Sequence, residues 1–406
     1  MSVSGSRKDL MRFLLLQVKQ NALDVDTAKA FIRTIEEGGS STEPIAVVGV
    51  AGRLPGADDK DTFWANLVAG RESIGDFPEE RLDDLRRVAD PGRQTKGGYL
   101  DRVDEFDPEY FGITPQAAVE LDPYHRMVME LLVETMEDAG HPRSSLEGSR
   151  TGVFVGTDNS HRLNMSYLPF LPEVDFSAMS GSWPGLLAGR LSYHFDLRGP
   201  AMVTDTGCSS GLLALDSAIK AIRAGDCSGA LVAAVNLFLN PGSLGSETES
   251  ADCQVRAFDA DAHGTVWSEG LAAVYIKPLS QAVADRDHVY GLITGHAVNS
   301  DGRSNGITAP NAKAQKDLLL EAWKRARIDP ETIGYIEAHG TGTVLGDPIE
   351  ISGLKSAFGQ FTQRRQFCGL GSVKTNVGHT VGAAGLVSLV KTLLCLDREA
   401  IPASLN

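Results

Sequence analysis

The chain is short of the features that would classify it quickly. Its 406 residues hold five cysteines, Cys208, Cys227, Cys253, Cys368 and Cys395, in no CxxC or other metal-ligand spacing. An odd set without that spacing gives neither a disulfide framework nor a metal site. The thiols read as reduced and mostly buried, in a cytoplasmic protein. No apolar run reaches the ~18–20 residues that a bilayer span needs. The brief apolar stretch at Leu14–Val18 is flanked by charge, which is not a signal-peptide pattern. No Lys/Arg-rich run occurs, and 38 basic side chains face 53 acidic ones for a formal net charge of −15. That balance argues against a nucleic-acid face and leaves an acidic protein partner needing a local basic patch. No short fixed-period repeat is present, which removes solenoids and propellers.

What is present is a change of pattern near Pro44. Before it, Leu10, Phe13, Leu14 and Val18, then Ala28, Ala30, Phe31 and Ile35, recur at helical spacing. Two short amphipathic helices over 7–37 and a Gly38–Thr42 linker follow from this. Segment 1–43 is either a helical cap on the main body or an element that docks onto other chains. From Pro44, strand and helix alternate, the signature of an α/β layered domain. Strands are expected at Ile45–Val50, Thr151–Gly156, Pro200–Asp205 and Gly229–Asn236. A second series begins near Asp287, with strands at His288–Thr294, Gly334–Glu337 and Gln366–Ser372 and helices at Ala312–Ala326 and Thr380–Leu396. Two halves result, 44–286 and 287–406. Gly49, Gly52 and Gly56 do not fit the GxGxxG spacing of a dinucleotide site.

Three segments carry reactive groups. In Val203-Thr204-Asp205-Thr206-Gly207-Cys208-Ser209-Ser210-Gly211 a strand ends in a small-residue turn and a helix begins, with Gly225 as its C-cap. Cys208 then sits near a helix N-terminus, where the macrodipole favours thiolate. A buried structural cysteine would fit this segment alone equally well. Tyr335-Ile336-Glu337-Ala338-His339-Gly340-Thr341-Gly342-Thr343 presents His339 in a glycine-rich turn, and Gly371-Ser372-Val373-Lys374-Thr375-Asn376-Val377-Gly378-His379 presents a lysine and a second histidine. Singly, each histidine fits a structural role. Together, three strand ends with reactive side chains suit a site built where strands terminate.

TGCSS, EAHGTGT, GDPIE and VKTNVGH, in this order, resemble the ketosynthase (beta-ketoacyl synthase) domains of modular polyketide synthases, in the thiolase-like superfamily. The resemblance runs from about Pro44 to the C-terminus and includes Asn299–Asn311. It implies an α/β, five-layered αβαβα fold of two related halves, and a homodimer with the strand near Arg198–Val203 at the two-fold. It implies that Cys208 accepts an acyl chain from an acyl carrier protein. His339 and His379 would then bind the thioester carbonyl of a malonyl-type extender and assist decarboxylation, with Lys374 supporting them. Thr341, Thr343 and Thr308 match positions lining a phosphopantetheine channel. The resemblance implies no metal and no cofactor bound by the chain itself; phosphopantetheine belongs to the carrier protein.

The activity implied is decarboxylative Claisen condensation. Transfer-only ketosynthases typically lack the histidine that stands here as His339, and chain-length-factor proteins lack the nucleophile that stands here as Cys208. This sequence departs from the family at Gly207 (usually alanine), at Trp267-Ser268-Glu269-Gly270 and at Thr380-Val381-Gly382, all near the expected acyl pocket. A GFGGTNAH-like family segment is expected beyond Asn406. Either the chain is part of a longer protein, or another polypeptide supplies that piece, or the protein is not a full condensing enzyme.

Overall fold

The computed structural model describes residues 43–88, 96–158, 167–171, 173–239 and 248–406, together with Lys19. The helical pair expected over 7–37 lies outside the described residues. Six strands, β1 (Ile45–Arg53), β2 (Thr151–Thr157), β3 (Ala201–Thr204), β4 (Gly229–Asn236), β5 (Gly270–Pro278) and β6 (Gly291–Ile293), form one sheet in the order β3-β2-β4-β5-β1-β6. β2 runs parallel to β3 and β4, whereas β5 runs antiparallel to β4 and β1. Parallel neighbours need crossover connections, and helices supply them. β2 and β4 are buried along their whole length and β5 along nearly all of it, as sheets covered on both faces require of their Ala/Val-rich strands.

Five helices place the site: α1 (Pro123–Asp138), α2 (Ser210–Ala224), α3 (Ala312–Ala326), α4 (Gly346–Phe358) and α5 (Ala384–Asp397). Strand alternation sends Val153, Val155, Leu231 and Ala233 to one face, where they meet Met127, Val128, Leu131 and Leu132 of α1. Phe154, Val232, Ala272 and Val274 point the other way, onto Ala214, Ala218 and Ile219 of α2 and Leu386, Val390 and Leu394 of α5. A second, parallel sheet pairs β7 (Tyr335–Glu337) with β8 (Gly369–Gly371). Tyr335 and Glu337 turn toward α5, with Lys391 at 5.9 Å from the Tyr335 ring and 2.8 Å from Glu337 Oε2. Ile336 turns the opposite way, to a cavity that it lines together with Ile351, Leu354 and Phe358 of α4. α3 lies alongside, with its Trp323 ring 4.7 Å from that of Phe358. The layers are therefore α1, first sheet, α2 with α5, second sheet, and α3 with α4. This is the five-layered αβαβα arrangement.

Local sequence explains the ends. Asn311 caps α3 by accepting from the Lys313 and Ala314 amides, and Gly225 closes α2 at φ 79°. The expected strand at His288–Thr294 shortens to Gly291–Ile293, and it hydrogen-bonds to Ile45–Val47 of β1 rather than opening the second sheet. Apolar pattern marks a strand but not the sheet edge it will find. The expected helix at Thr380–Leu396 starts with a 3₁₀ turn, Val381–Ala383, before α5. No helix among the described residues is long and apolar enough to cross a membrane.

Candidate active site

Cys208 lies at the C-terminal end of β3, in the single 3₁₀ turn Gly207–Ser209 that leads into α2. Hydroxyls tie this turn together: Ser210 Oγ donates to the Gly207 carbonyl at 2.7 Å and accepts from the Thr206 amide at 2.8 Å. Gly207 has φ 63°, and the space beside it is empty, so an added Cβ would be strained by conformation and not by a clash. Gly207→Ala is expected to lower stability by about 1–2 kcal/mol, read as a fall in melting temperature.

The second strand end delivers His339, and two carboxylates at the start of α4 hold its turn. Glu350 accepts the His339 and Gly340 amides at 2.8 and 2.9 Å. Asp347 accepts the Phe258 and Gly342 amides at 2.7 and 3.2 Å. The GDPIE motif is thus a clamp on the His339 loop, a role that its sequence did not disclose. The signal was there in outline, as two acids shortly after a glycine-rich turn whose amides need acceptors.

His379 is buried, and its Nε2 lies 3.1 Å from Cys208 Sγ. Its Nδ1 accepts the Val381 amide at 3.2 Å. A nitrogen that accepts carries no proton, so the neutral ring bears its hydrogen on Nε2 and aims it at the sulfur. The His339 and His379 rings are 5.3 Å apart and nearly perpendicular. One ligand atom from each of Cys208, His339 and His379 falls within 4.8 Å of the others. The three therefore surround a volume that one thioester carbonyl could fill.

Lys374 completes the group and is itself buried. Behind it, Glu337 accepts the Val373 amide at 2.6 Å and the Tyr335 hydroxyl at 2.5 Å and pairs with the buried Lys391. Burial pushes the Lys374 pKa down, while Glu337 and Glu350 pull it back up. Burial, then the Lys374 charge, also hold His379 well below the ordinary histidine value. His339 is lowered by the same two causes, although it is open to solvent on one side. Both imidazoles are therefore neutral at physiological pH. Burial raises the Cys208 thiol, Lys374 opposes this, and Asp158 adds to it. Cys208 lies two residues before α2, near its N-terminus as the sequence suggested, and burial is the largest influence on its thiol. The Lys374 charge and a backbone hydrogen bond at Cys208 favour the thiolate, and the His379 Nε2–H is in position to do the same.

A cavity of about 490 Å³ opens onto these groups, lined among others by Cys208, His339, Thr341, Thr343 and Lys374. The Thr341 and Thr343 hydroxyls are 3.1 Å apart. Thr308 is exposed and is not among the lining residues, whereas Pro310, two positions on, is. The structure thus brings together six of the seven residues singled out in the sequence.

The sequence and the fold match known proteins. The family descriptions "Beta-ketoacyl synthase, N-terminal domain" and "Beta-ketoacyl synthase, C-terminal domain" match residues 42–282 and 290–406. The chain belongs to the beta-ketoacyl synthase family, with the thiolase-like fold. It is 39 % identical over 389 residues to polyketide synthase PksM of Bacillus subtilis strain 168, covering 94 % of this chain and 9 % of that protein. It is 42 % identical over 376 residues to a phenolphthiocerol/phthiocerol polyketide synthase of Mycobacterium tuberculosis, covering 90 % of this chain and 20 % of that protein. Among solved structures, the ketosynthase from module 6 of the bacillaene synthase of Bacillus subtilis 168 aligns with TM-score 0.79 and 39 % identity, over 90 % of this chain and 63 % of that one. The chain therefore spans a small part of these synthases and less than two thirds of that ketosynthase chain.

Proposed function

We propose that the chain is an elongating ketosynthase domain of a polyketide synthase, an acyltransferase that performs decarboxylative Claisen condensation. The observation carrying this reading is the Nε2–H of His379, 3.1 Å from Cys208 Sγ and beside His339. The Cys208 thiolate attacks the acyl thioester of a carrier protein's phosphopantetheine. A new S–C bond forms and the phosphopantetheine thiolate leaves. A malonyl-type thioester then enters the cavity between Thr341, Thr343 and Cys208. Its C–C bond to the carboxylate breaks, CO₂ departs and the electron pair moves into an enolate. Two neutral N–H donors, His339 and His379, stabilise the enolate oxygen as its charge develops. The enolate carbon attacks the acyl-Cys208 carbonyl, and the sulfur leaves as a thiolate. Lys374 adds its positive field to burial in keeping the imidazoles neutral, and it opposes burial at the sulfur.

The partners proposed are an acyl carrier protein, its acyl and malonyl-type thioesters, and a second copy of the chain. For the last, β3 is an edge strand with Met202 47 % exposed, and Trp183 and Tyr193 in the segment packed beside it are 60 % and 81 % exposed. An open edge beside apolar surface is a pairing site. β7 pairs only with β8 among the described residues, which supports a further polypeptide segment completing the second sheet. The cytoplasm, where thiols stay reduced, fits a cysteine nucleophile.

The test is intact-protein mass spectrometry with acyl-carrier protein. An adduct should form on Cys208 and vanish in Cys208→Ala; malonyl carrier protein should then release CO₂ and a β-ketoacyl product. Acylation without product would leave a transfer-only enzyme. No adduct on folded protein would overturn the reading.

The electrostatics also set a pH dependence. A thiol raised by burial gains thiolate as pH rises through its pKa, so haloacetamide alkylation of Cys208 should speed up on the alkaline side of neutrality. Lys374→Ala removes the cause that lowers this pKa. Its rate profile should therefore shift to higher pH, with slower alkylation at pH 7. An unchanged profile would remove Lys374 from the sulfur's environment.

A further inference from the structure

The cavity accounts for one side of Cys208. On another, Phe77, Tyr99, Phe238 and Val381 form a small apolar cluster against which Cys208, Leu82 and Trp267 pack. Phe77 and Tyr99 meet edge to face at 5.1 Å. The Trp267 indole lies over the His379 imidazole, with centroids 5.6 Å apart and planes 27° from parallel. Its Nε1–H donates to Glu249 at 3.1 Å. Its backbone is held too: the Gly98 amide donates to the Trp267 carbonyl at 3.0 Å, and neighbouring Val266 and Ser268 bond to His379 at 2.7 and 2.9 Å. The indole cannot swing away without losing the stack and the hydrogen bond together.

None of the cluster residues, nor Trp267, lines the cavity beside His339. During condensation that cavity holds the extender's arm, so the chain on Cys208 must run elsewhere, and an alkyl chain belongs among apolar and aromatic side chains. We propose that Trp267 is the wall that limits the acyl group Cys208 accepts. Resting on the condensing reading above, it makes short acyl chains, slender near the thioester, the favoured substrates. Longer or bulkier chains meet the indole where it is pinned to His379, the same ring that must keep its N–H on the reacting oxygen. Trp267 thus couples substrate size to the placement of that imidazole.

The experiment compares the purified chain with Trp267→Ala and Trp267→Leu, each checked for folding by its melting temperature. Cys208 modification is followed by peptide mass mapping with two probe series: N-alkyl maleimides from ethyl to octyl, and acyl-N-acetylcysteamine thioesters from acetyl to decanoyl. The unaltered chain should slow steeply with length in both series. Trp267→Ala should raise the long-to-short rate ratio by about 10-fold or more, the scale on which a pocket discriminates one or two methylenes. Trp267→Leu should fall between. The same ratio in all three folded proteins would overturn the proposal. Length selectivity toward maleimides without thioester acylation would keep the wall and sink the condensing reading. Acylation by every thioester with flat length dependence would do the reverse.

Discussion

His339→Ala is expected to lower condensation by about 10²–10³ while acyl transfer to Cys208 stays within a few-fold of the unaltered chain. The split follows from position. His379, not His339, has the contact with Cys208 Sγ, and the hydrogen on its Nε2 serves the sulfur in the first half-reaction. His339 stands at the cavity wall, its ring 5.3 Å from His379. There it faces the cavity through which an extender would arrive, while the contact at hydrogen-bond distance from the sulfur is made by His379. Removing it deletes one of two donors to the enolate and leaves the nucleophile's surroundings in place. The check is a pair of single-turnover measurements, adduct formation by mass spectrometry and CO₂ release from malonyl carrier protein. Equal losses in both would show that His339 serves the sulfur as well, and the division of labour would be wrong.

Glu269→Ala should destabilise the fold by about 3–5 kcal/mol, the cost of leaving one member of a buried pair alone. Glu269 is fully buried and Arg81 is 8 % exposed. The two meet in a bidentate pair at 2.7 Å, and Glu269 also accepts the Leu100 and Phe238 amides at 2.8 and 2.7 Å. Arg81 in turn donates to the Leu100 and Phe238 carbonyls and lies 4.7 Å from the Phe77 ring. One ion pair thus ties together chain stretches that border the apolar side of Cys208. A urea titration should show the loss. Arg81→Met with Glu269→Met should recover part of it, since the uncompensated charge is gone, but not all, because two amides lose their acceptor. A single Glu269→Ala variant with an unchanged midpoint would contradict this account.

Much of the fold was legible because its strands are long apolar runs and its helices carry their own stops. The expected strand at Gly229–Asn236 and helix at Ala312–Ala326 form with those ends, with the Gly225 turn ahead of one and the Asn311 cap ahead of the other. β6 was legible as a strand but not as a neighbour of β1, since pairing depends on which edge is open in three dimensions. The candidate site was legible as residue types at three strand ends, and Cys208, His339, His379 and Lys374 meet beside one cavity. Thr308 is exposed and does not line that cavity, whereas Pro310 does. The Asp347–Glu350 clamp was legible only in outline, and letters could not give the stack of Trp267 on His379 or the burial that raises the Cys208 thiol. Each depends on contacts between distant segments that no local pattern encodes.

The Val381 amide bonded to His379 Nδ1 has one more consequence. A main-chain N–H never ionises in the working range and belongs to no side chain. The tautomer of the neutral imidazole is therefore set by the main chain and out of reach of point substitution, short of proline at 381 or a remodelled turn. Variants of this domain can drift in pocket shape and surface while the direction of that one hydrogen stays written into the path of the chain.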